Sequence, residues 1–68
     1  MADVVTGERV GGFVVLTDED GLRHAVRSVA VLALSDADGT GSDTVMQLPG
    51  NRVVTIRRPI DEVLGWFC

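Results

Sequence analysis

The chain has 68 residues, of which 46% are hydrophobic, and a formal net charge of −4 at pH 7. This length predicts one small domain, residues 1–68, whose single core only just offsets the entropy lost on folding. The acidic balance argues against direct nucleic-acid binding, because a protein that neutralises phosphates needs a basic surplus. No apolar run approaches the roughly 20 residues that cross a bilayer, so we expect no contact with a membrane.

The first half of the chain predicts one hairpin and a third strand. Residues 1–11 are small and polar-leaning, which predicts either a flexible segment or an edge strand. Strand-like residues 13–16 and 22–27 flank a turn of Asp, Glu and Gly, as in a hairpin. Residues 28–34 are apolar at both odd and even positions. Because strand side chains alternate between faces, we expect a third strand here that is apolar on both faces and needs a partner for one of them.

The second half predicts an exposed loop, another hairpin and a helix. Residues 35–43 contain no apolar side chain larger than alanine, and Pro-Gly-Asn forms a turn between strand-like residues 44–48 and 52–57. The last segment changes to helical spacing. Its predicted buried stripe consists of Ile60, Val63, Leu64 and Phe67. The predicted fold is therefore α+β, an antiparallel sheet of four to five strands with one short C-terminal helix packed on one face.

The motif Asp36-Ala37-Asp38-Gly39-Thr40, which follows the apolar segment of residues 28–34, resembles the first motif of haloacid-dehalogenase-like phosphatases. The resemblance implies a nucleophilic Asp36 and an acid/base Asp38, with magnesium between them. That family also needs a lysine, and every cation in this chain is an arginine. We therefore expect no enzymatic activity, no catalytic residue and no cofactor.

The same loop also supports a hypothesis of a minimal metal-binding module. Asp36, Asp38 and Thr40 place oxygen ligands at alternate positions, as in a calcium-binding loop. Gln47 stands where such a loop has a bidentate glutamate, and His24 is the single histidine. No metal ligand is therefore assigned.

Candidate contacts to a protein partner are the tryptophan, two arginines and two acidic loops. Tryptophan and arginine are enriched among binding hot spots. Trp66 lies outside the predicted helical stripe, so it either folds over a sheet edge or contacts a partner. The acidic loops hold six of the ten carboxylates, and are either solvated turns or an imitation of nucleic-acid phosphates. The candidates are Trp66, Arg57, Arg58, Asp18, Glu19, Asp20, Asp36, Asp38 and Asp43.

A homodimer is predicted from the doubly apolar segment and the lone cysteine. Val31 and Leu32 would lie in the contact, and Cys68 is either an inert thiol or a disulfide between two copies. A single cysteine and a beginning without a secretory signal also favour a cytoplasmic protein, in the cytoplasm of a bacterial host if the chain is encoded by a phage.

Two resemblances suggest particular functions. From Phe13 to Phe67 the order of elements resembles the flagellar FlbD family, with a Thr-Val-x-x-Leu strand at residues 44–48, a glycine turn, a Val-Val-x-Ile strand and a short helix. This resemblance implies a flagellar regulatory protein. The small size, acidity and absence of lysine are similar to phage-encoded anti-CRISPR proteins. That resemblance, our leading hypothesis, implies a non-enzymatic inhibitor that binds a type I effector complex, type I-C among them, and blocks recruitment of target DNA.

Overall fold

The computed structural model describes residues 6–67, which form six short strands, a 3₁₀ turn and one helix. The predicted α+β class, both hairpins and the C-terminal helix are confirmed. Within residues 6–67 no helix has the length and apolar character needed to span a membrane. In chain order the elements are β1 (Arg9–Val10), β2 (Phe13–Thr17), β3 (Arg23–Val26), the 3₁₀ turn (Ser28–Ala30), β4 (Ala33–Asp36), β5 (Thr44–Leu48), β6 (Arg52–Ile56) and α1 (Ile60–Trp66).

The strands form two antiparallel sheets of three strands each, with the orders β1-β2-β3 and β4-β5-β6, where we expected one sheet of four to five strands. β1 is an edge strand, which was one of the two alternatives predicted for the N-terminal segment. Residues 1–5 lie outside the described part of the chain. One backbone hydrogen bond links the two sheets, from the Glu19 N–H to the Thr55 carbonyl at 2.9 Å. The sheets therefore meet closely at one end of β6.

The prediction of a continuous strand over residues 28–34 was wrong. Residues Ser28–Ala30 form a 3₁₀ turn, closed by bonds from the Ala30 and Val31 N–H groups, and strand pairing begins only at Ala33. A continuous apolar run does not by itself distinguish a strand from a short helical segment. Here the turn carries the chain from one sheet to the next and directs Ala30 and Val31 towards the core, while Val29 faces solvent.

The core lies between the two sheets and α1, where inward positions on each strand alternate with outward ones. Thr44 is the buried polar residue within this core, and its hydroxyl donates a 2.8 Å hydrogen bond to the Arg58 carbonyl. This bond satisfies the hydroxyl and fixes the segment that joins β6 to α1. The buried apolar residues of the central cluster are Leu16, Val26, Met46, Leu48, Val54, Ile56 and Val63.

The buried face of α1 is rotated from the predicted stripe. Val63 is fully buried, Trp66 and Phe67 are half-buried against the core, and Leu64 is 47% exposed. At 100° per residue, Trp66 and Phe67 lie about 60° and 40° on either side of Val63, whereas Leu64 lies about 100° away. The stripe is therefore centred on Val63, and the predictions of an inward Leu64 and a Trp66 outside the stripe were wrong.

Candidate functional site

Both acidic loops project from the same end of the molecule. Asp36, Thr44 and Ile56 occupy one row across the second sheet, and the loop of residues 37–43 extends beyond that row. The bond from Glu19 to the Thr55 carbonyl places the β2–β3 turn beside the next row. The tertiary structure thus gathers the two sequence-separated loops, and we call this surface the acidic end.

Charge is strongly segregated between the acidic end and the rest of the described chain. α1 also begins at this end, so Asp61 and Glu62 bring its total to eight of the ten carboxylates. Three arginines lie there too, at positions 23, 57 and 58, which leaves a net charge of −5 by simple count. The other charged residues within 6–67 are Glu8, Arg9, Arg27 and Arg52, with a net charge of +2.

Asp18 organises the first acidic loop through hydrogen bonds. Its Oδ1 accepts bonds from the N–H groups of Asp20 and Leu22, each at 2.9 Å, and its Oδ2 lies 2.8 Å from the Nε2 of His24. The His24 hydrogen bond, followed by the two backbone N–H donors, lowers the pKa of Asp18 below its ordinary value of 3.8. Asp18 is therefore an ionised support for the turn, and it presents the exposed side chains of Glu19 and Asp20 to solvent.

Asp38 plays the same part in the second loop. Its Oδ1 accepts hydrogen bonds from the Thr40 hydroxyl at 2.6 Å and from the Thr40 N–H at 2.9 Å, and these donors lower the pKa of Asp38. Across residues 6–67 no group of three or more His, Cys, Asp or Glu side chains is placed to hold a metal ion. The oxygen atoms proposed as metal ligands at Asp38 and Thr40 instead bond within the loop.

The candidate arginines adjoin the acidic end, whereas Trp66 does not. Arg57 and Arg58 line a surface depression with Asp18, and the Arg58 Nε lies 3.6 Å from Glu62. Trp66 is half-buried over Gly7, where an added Cβ would lie 2.5 Å from the indole Nε1. The structure thus brings both arginines to the acidic loops and gives Trp66 a packing role on the N-terminal segment.

The residues predicted for a dimer contact occupy different environments. Val31 is half-buried against the core, Leu32 is 66% exposed, and Cys68 lies outside the described residues. Leu32 borders the outer face of the second sheet, where Val53 is 60% exposed. No charged side chain stands among the outward positions of β4, β5 and β6, which are Ala33, Ser35, Val45, Gln47, Val53 and Thr55.

A second surface, which the sequence did not predict, is a groove of about 440 Å³ between β3 and the β5–β6 hairpin. Arg27 and Arg52 line it together with the apolar side chains of Val26, Ala30 and Leu48, and no carboxylate does. We call it the arginine-lined groove. It depends on how the two sheets separate away from the Glu19–Thr55 bond, so no local pattern could have revealed it.

Together, the described residues define a small α+β protein with an acidic end and an arginine-lined groove. Comparisons with protein-family models, with curated proteins and with solved structures give no match. Inferences about function therefore depend on these two surfaces.

Proposed function

We propose that this chain is a non-enzymatic, anti-CRISPR-like inhibitor that associates with a larger nucleic-acid-processing complex and blocks recruitment of target DNA. The observation that carries this proposal is the gathering of six loop carboxylates at the acidic end. A group of carboxylates at one end of a protein is complementary to the basic surfaces with which proteins bind phosphates. Occupation of such a surface on a type I effector complex would exclude DNA directly.

The loops have the internal support that such a contact needs. Hydrogen bonds to Asp18 and Asp38 hold both turns, so less conformational freedom is lost when a partner binds. Glu19, Asp20 and Asp36 are exposed, which makes them the carboxylates we assign to the contact.

The test is displacement of labelled target DNA from a purified type I effector complex, followed by fluorescence anisotropy. The triple variant E19Q/D20N/D36N removes three exposed charges without touching the two supporting carboxylates. We expect it to inhibit at least about tenfold more weakly than the wild type, because charge pairs at interfaces are commonly worth more than 1 kcal/mol.

The matched control is V10K/S28K/V29K, which raises the net charge by the same amount at exposed positions away from the acidic end and from the outer face of the second sheet. It should inhibit like the wild type if location, and not total charge, matters. The proposal fails if the wild-type protein leaves DNA binding unchanged at tens of micromolar, or if the triple variant inhibits equally well.

A flagellar regulatory role related to the FlbD family is the second candidate. It is supported by the order of elements from β2 to α1, a hairpin, a further strand, a hairpin and a short helix. The 3₁₀ turn at Ser28–Ala30 departs from the expected apolar strand. Affinity purification from host lysate separates the two candidates, because effector-complex subunits support the first and flagellar components support the second.

A homodimer is a separate proposal, supported by the uncharged outer face of the second sheet with Leu32 at its border. Light scattering under reducing and oxidising conditions tests it. A monomeric mass in both conditions at tens of micromolar would overturn the dimer, and a dimer only under oxidising conditions would assign the contact to Cys68 instead of the sheet.

A further inference from the structure

The arginine-lined groove lies beside a strand edge with free backbone groups. Among the described residues β3 pairs only with β2. The Asp18 N–H donates to the Leu22 carbonyl, and this bond determines which residue pairs along β2 and β3 exchange hydrogen bonds. His24 and Val26 therefore exchange hydrogen bonds with β2, and the N–H and C=O of Ala25 point away from it. Ala25 is among the residues that line the groove, so this unpaired edge of β3 borders it.

The side chains of the groove combine apolar walls with positive charge. Ala30 and Pro49 supply accessible apolar surface, while Arg27 and Arg52 supply the charge. The Arg27 guanidinium is held 4.3 Å from the centroid of the Phe13 ring, which orients it by a cation–π contact. In a chain of net charge −4, this groove is a local reversal of charge.

We propose that the arginine-lined groove binds an extended acidic segment of a protein partner, added as a strand beside β3. The backbone of the segment pairs with Ala25, its carboxylates face Arg27 and Arg52, and its apolar side chains contact Ala30 and Pro49. Strand addition of this kind takes affinity from main-chain hydrogen bonds and specificity from alternate side chains. The inference goes beyond the proposed inhibition, since it concerns a different surface.

Two other occupants fit less well. A nucleic-acid strand would offer phosphates to the arginines, but its backbone has no alternating N–H and C=O groups to pair with those of Ala25. A second copy of this chain has acidic segments, but Asp18 and Asp38 hold these in closed turns instead of extended strands.

The experiment is selection of random twelve-residue displayed peptides on the immobilised protein, followed by anisotropy with the enriched peptides in synthetic form. We expect enriched sequences that alternate acidic and apolar residues. Arg52→Glu should weaken their binding at least about tenfold, whereas Arg23→Glu, an exposed arginine on β3 outside the groove lining, should change it less than about twofold.

Ala25→Pro tests the backbone contact separately. Proline removes the Ala25 N–H, which points away from β2 into the groove edge, and edge strands tolerate proline at such positions. We expect unchanged circular dichroism with loss of peptide binding. Should this variant unfold, amide chemical shifts of the wild type with the peptide added provide the measurement, with changes expected at Ala25, Arg27 and Arg52.

The inference is overturned if no acidic sequence is enriched, if the peptides bind Arg52→Glu as tightly as the wild type, or if the shifts map elsewhere. Saturable binding of a twelve-nucleotide single-stranded DNA at these residues would assign the groove to nucleic acid. Peptide binding that disappears as the protein self-associates would assign it to a second copy. None of these outcomes depends on inhibition by the acidic end.

Discussion

The acidic end and the arginine-lined groove differ in charge, in construction and in the backbone they offer. The acidic end consists of loops that internal hydrogen bonds hold in place, with carboxylates accepting from neighbouring N–H and hydroxyl groups. The groove is bordered by a strand edge whose outward groups have no such partner in the paired sheet. The acidic end therefore offers a partner exposed carboxylates, whereas the strand edge also offers backbone donors and acceptors.

The same comparison explains why a net charge of −4 says little about either surface. The net charge is −5 at the acidic end and +2 over the other described residues, so the two surfaces attract partners of opposite charge. Total charge governs solubility and long-range repulsion, while local charge decides which partner each surface binds.

The largest effect is expected from a change in the core that both surfaces share. Met46 is fully buried between the sheets, so Met46→Ala should lower the free energy of unfolding by about 2–5 kcal/mol through lost burial and a cavity. Urea denaturation measures it. Val53→Ala, at an exposed position on the next strand, is the control and should cost less than about 0.5 kcal/mol. Similar losses in the two variants would mean that the sheets do not share one core.

A smaller effect separates backbone strain from packing. Gly7 and Gly21 both have positive φ, but an alanine Cβ would strike the Trp66 indole at Gly7 and meet open space at Gly21 in the acidic end. Gly21→Ala should cost about 1 kcal/mol from the left-handed backbone alone, and Gly7→Ala about 2–3 kcal/mol. Thermal melts and tryptophan fluorescence provide the measurement. Equal losses of stability in the two variants, with unchanged tryptophan fluorescence, would show that Trp66 does not pack on Gly7.

Acid should weaken the acidic end selectively. The folded-state pKa of Asp18 is lowered, so its contribution to stability is complete above the ordinary value of 3.8 and is lost as the pH falls through the folded value. Asp18→Asn keeps one side-chain oxygen for the Asp20 and Leu22 amides but no charge. We expect a lower melting temperature at pH 7 and a shallower fall between pH 5 and pH 2, measured by circular dichroism. A fall as steep as in the wild type would assign acid sensitivity to other carboxylates.

The smallest expected effect concerns the ion pair at the start of α1. The Arg58 Nε and the Glu62 Oε2 are 3.6 Å apart on half-exposed side chains. Exposed ion pairs of this kind contribute about 0.5 kcal/mol or less. Glu62→Gln should therefore change unfolding free energy by at most that amount, less still in 0.5 M salt. A larger loss would show that Glu62 also stabilises the adjoining acidic loops.

How far the sequence predicts the structure differs from element to element. The Asp-Glu-Asp-Gly and Pro-Gly-Asn turns predicted both hairpins because turn residues act through local φ preferences. The strand predicted over residues 28–34 was wrong because an uninterrupted apolar run has no period that distinguishes a strand from a helical turn. The chain passes from one sheet to the other at this point, and it does so through the 3₁₀ turn. For α1 the helical spacing was correct, but the predicted buried face was not. Leu64 and Trp66 lie on opposite sides of Val63, and Trp66 is the one that packs against the core.

The α+β class follows from the sequence alone, because chain length, turn residues and helical spacing act locally or through overall composition. The sequence also contains the carboxylates and arginines of both surfaces. Tertiary contacts are needed to bring residues 18–20 and 36–43 to one end and to place Arg27 and Arg52 on the lining of one groove. These placements depend on strand register and on the separation of the two sheets, which are contacts between residues far apart in the chain.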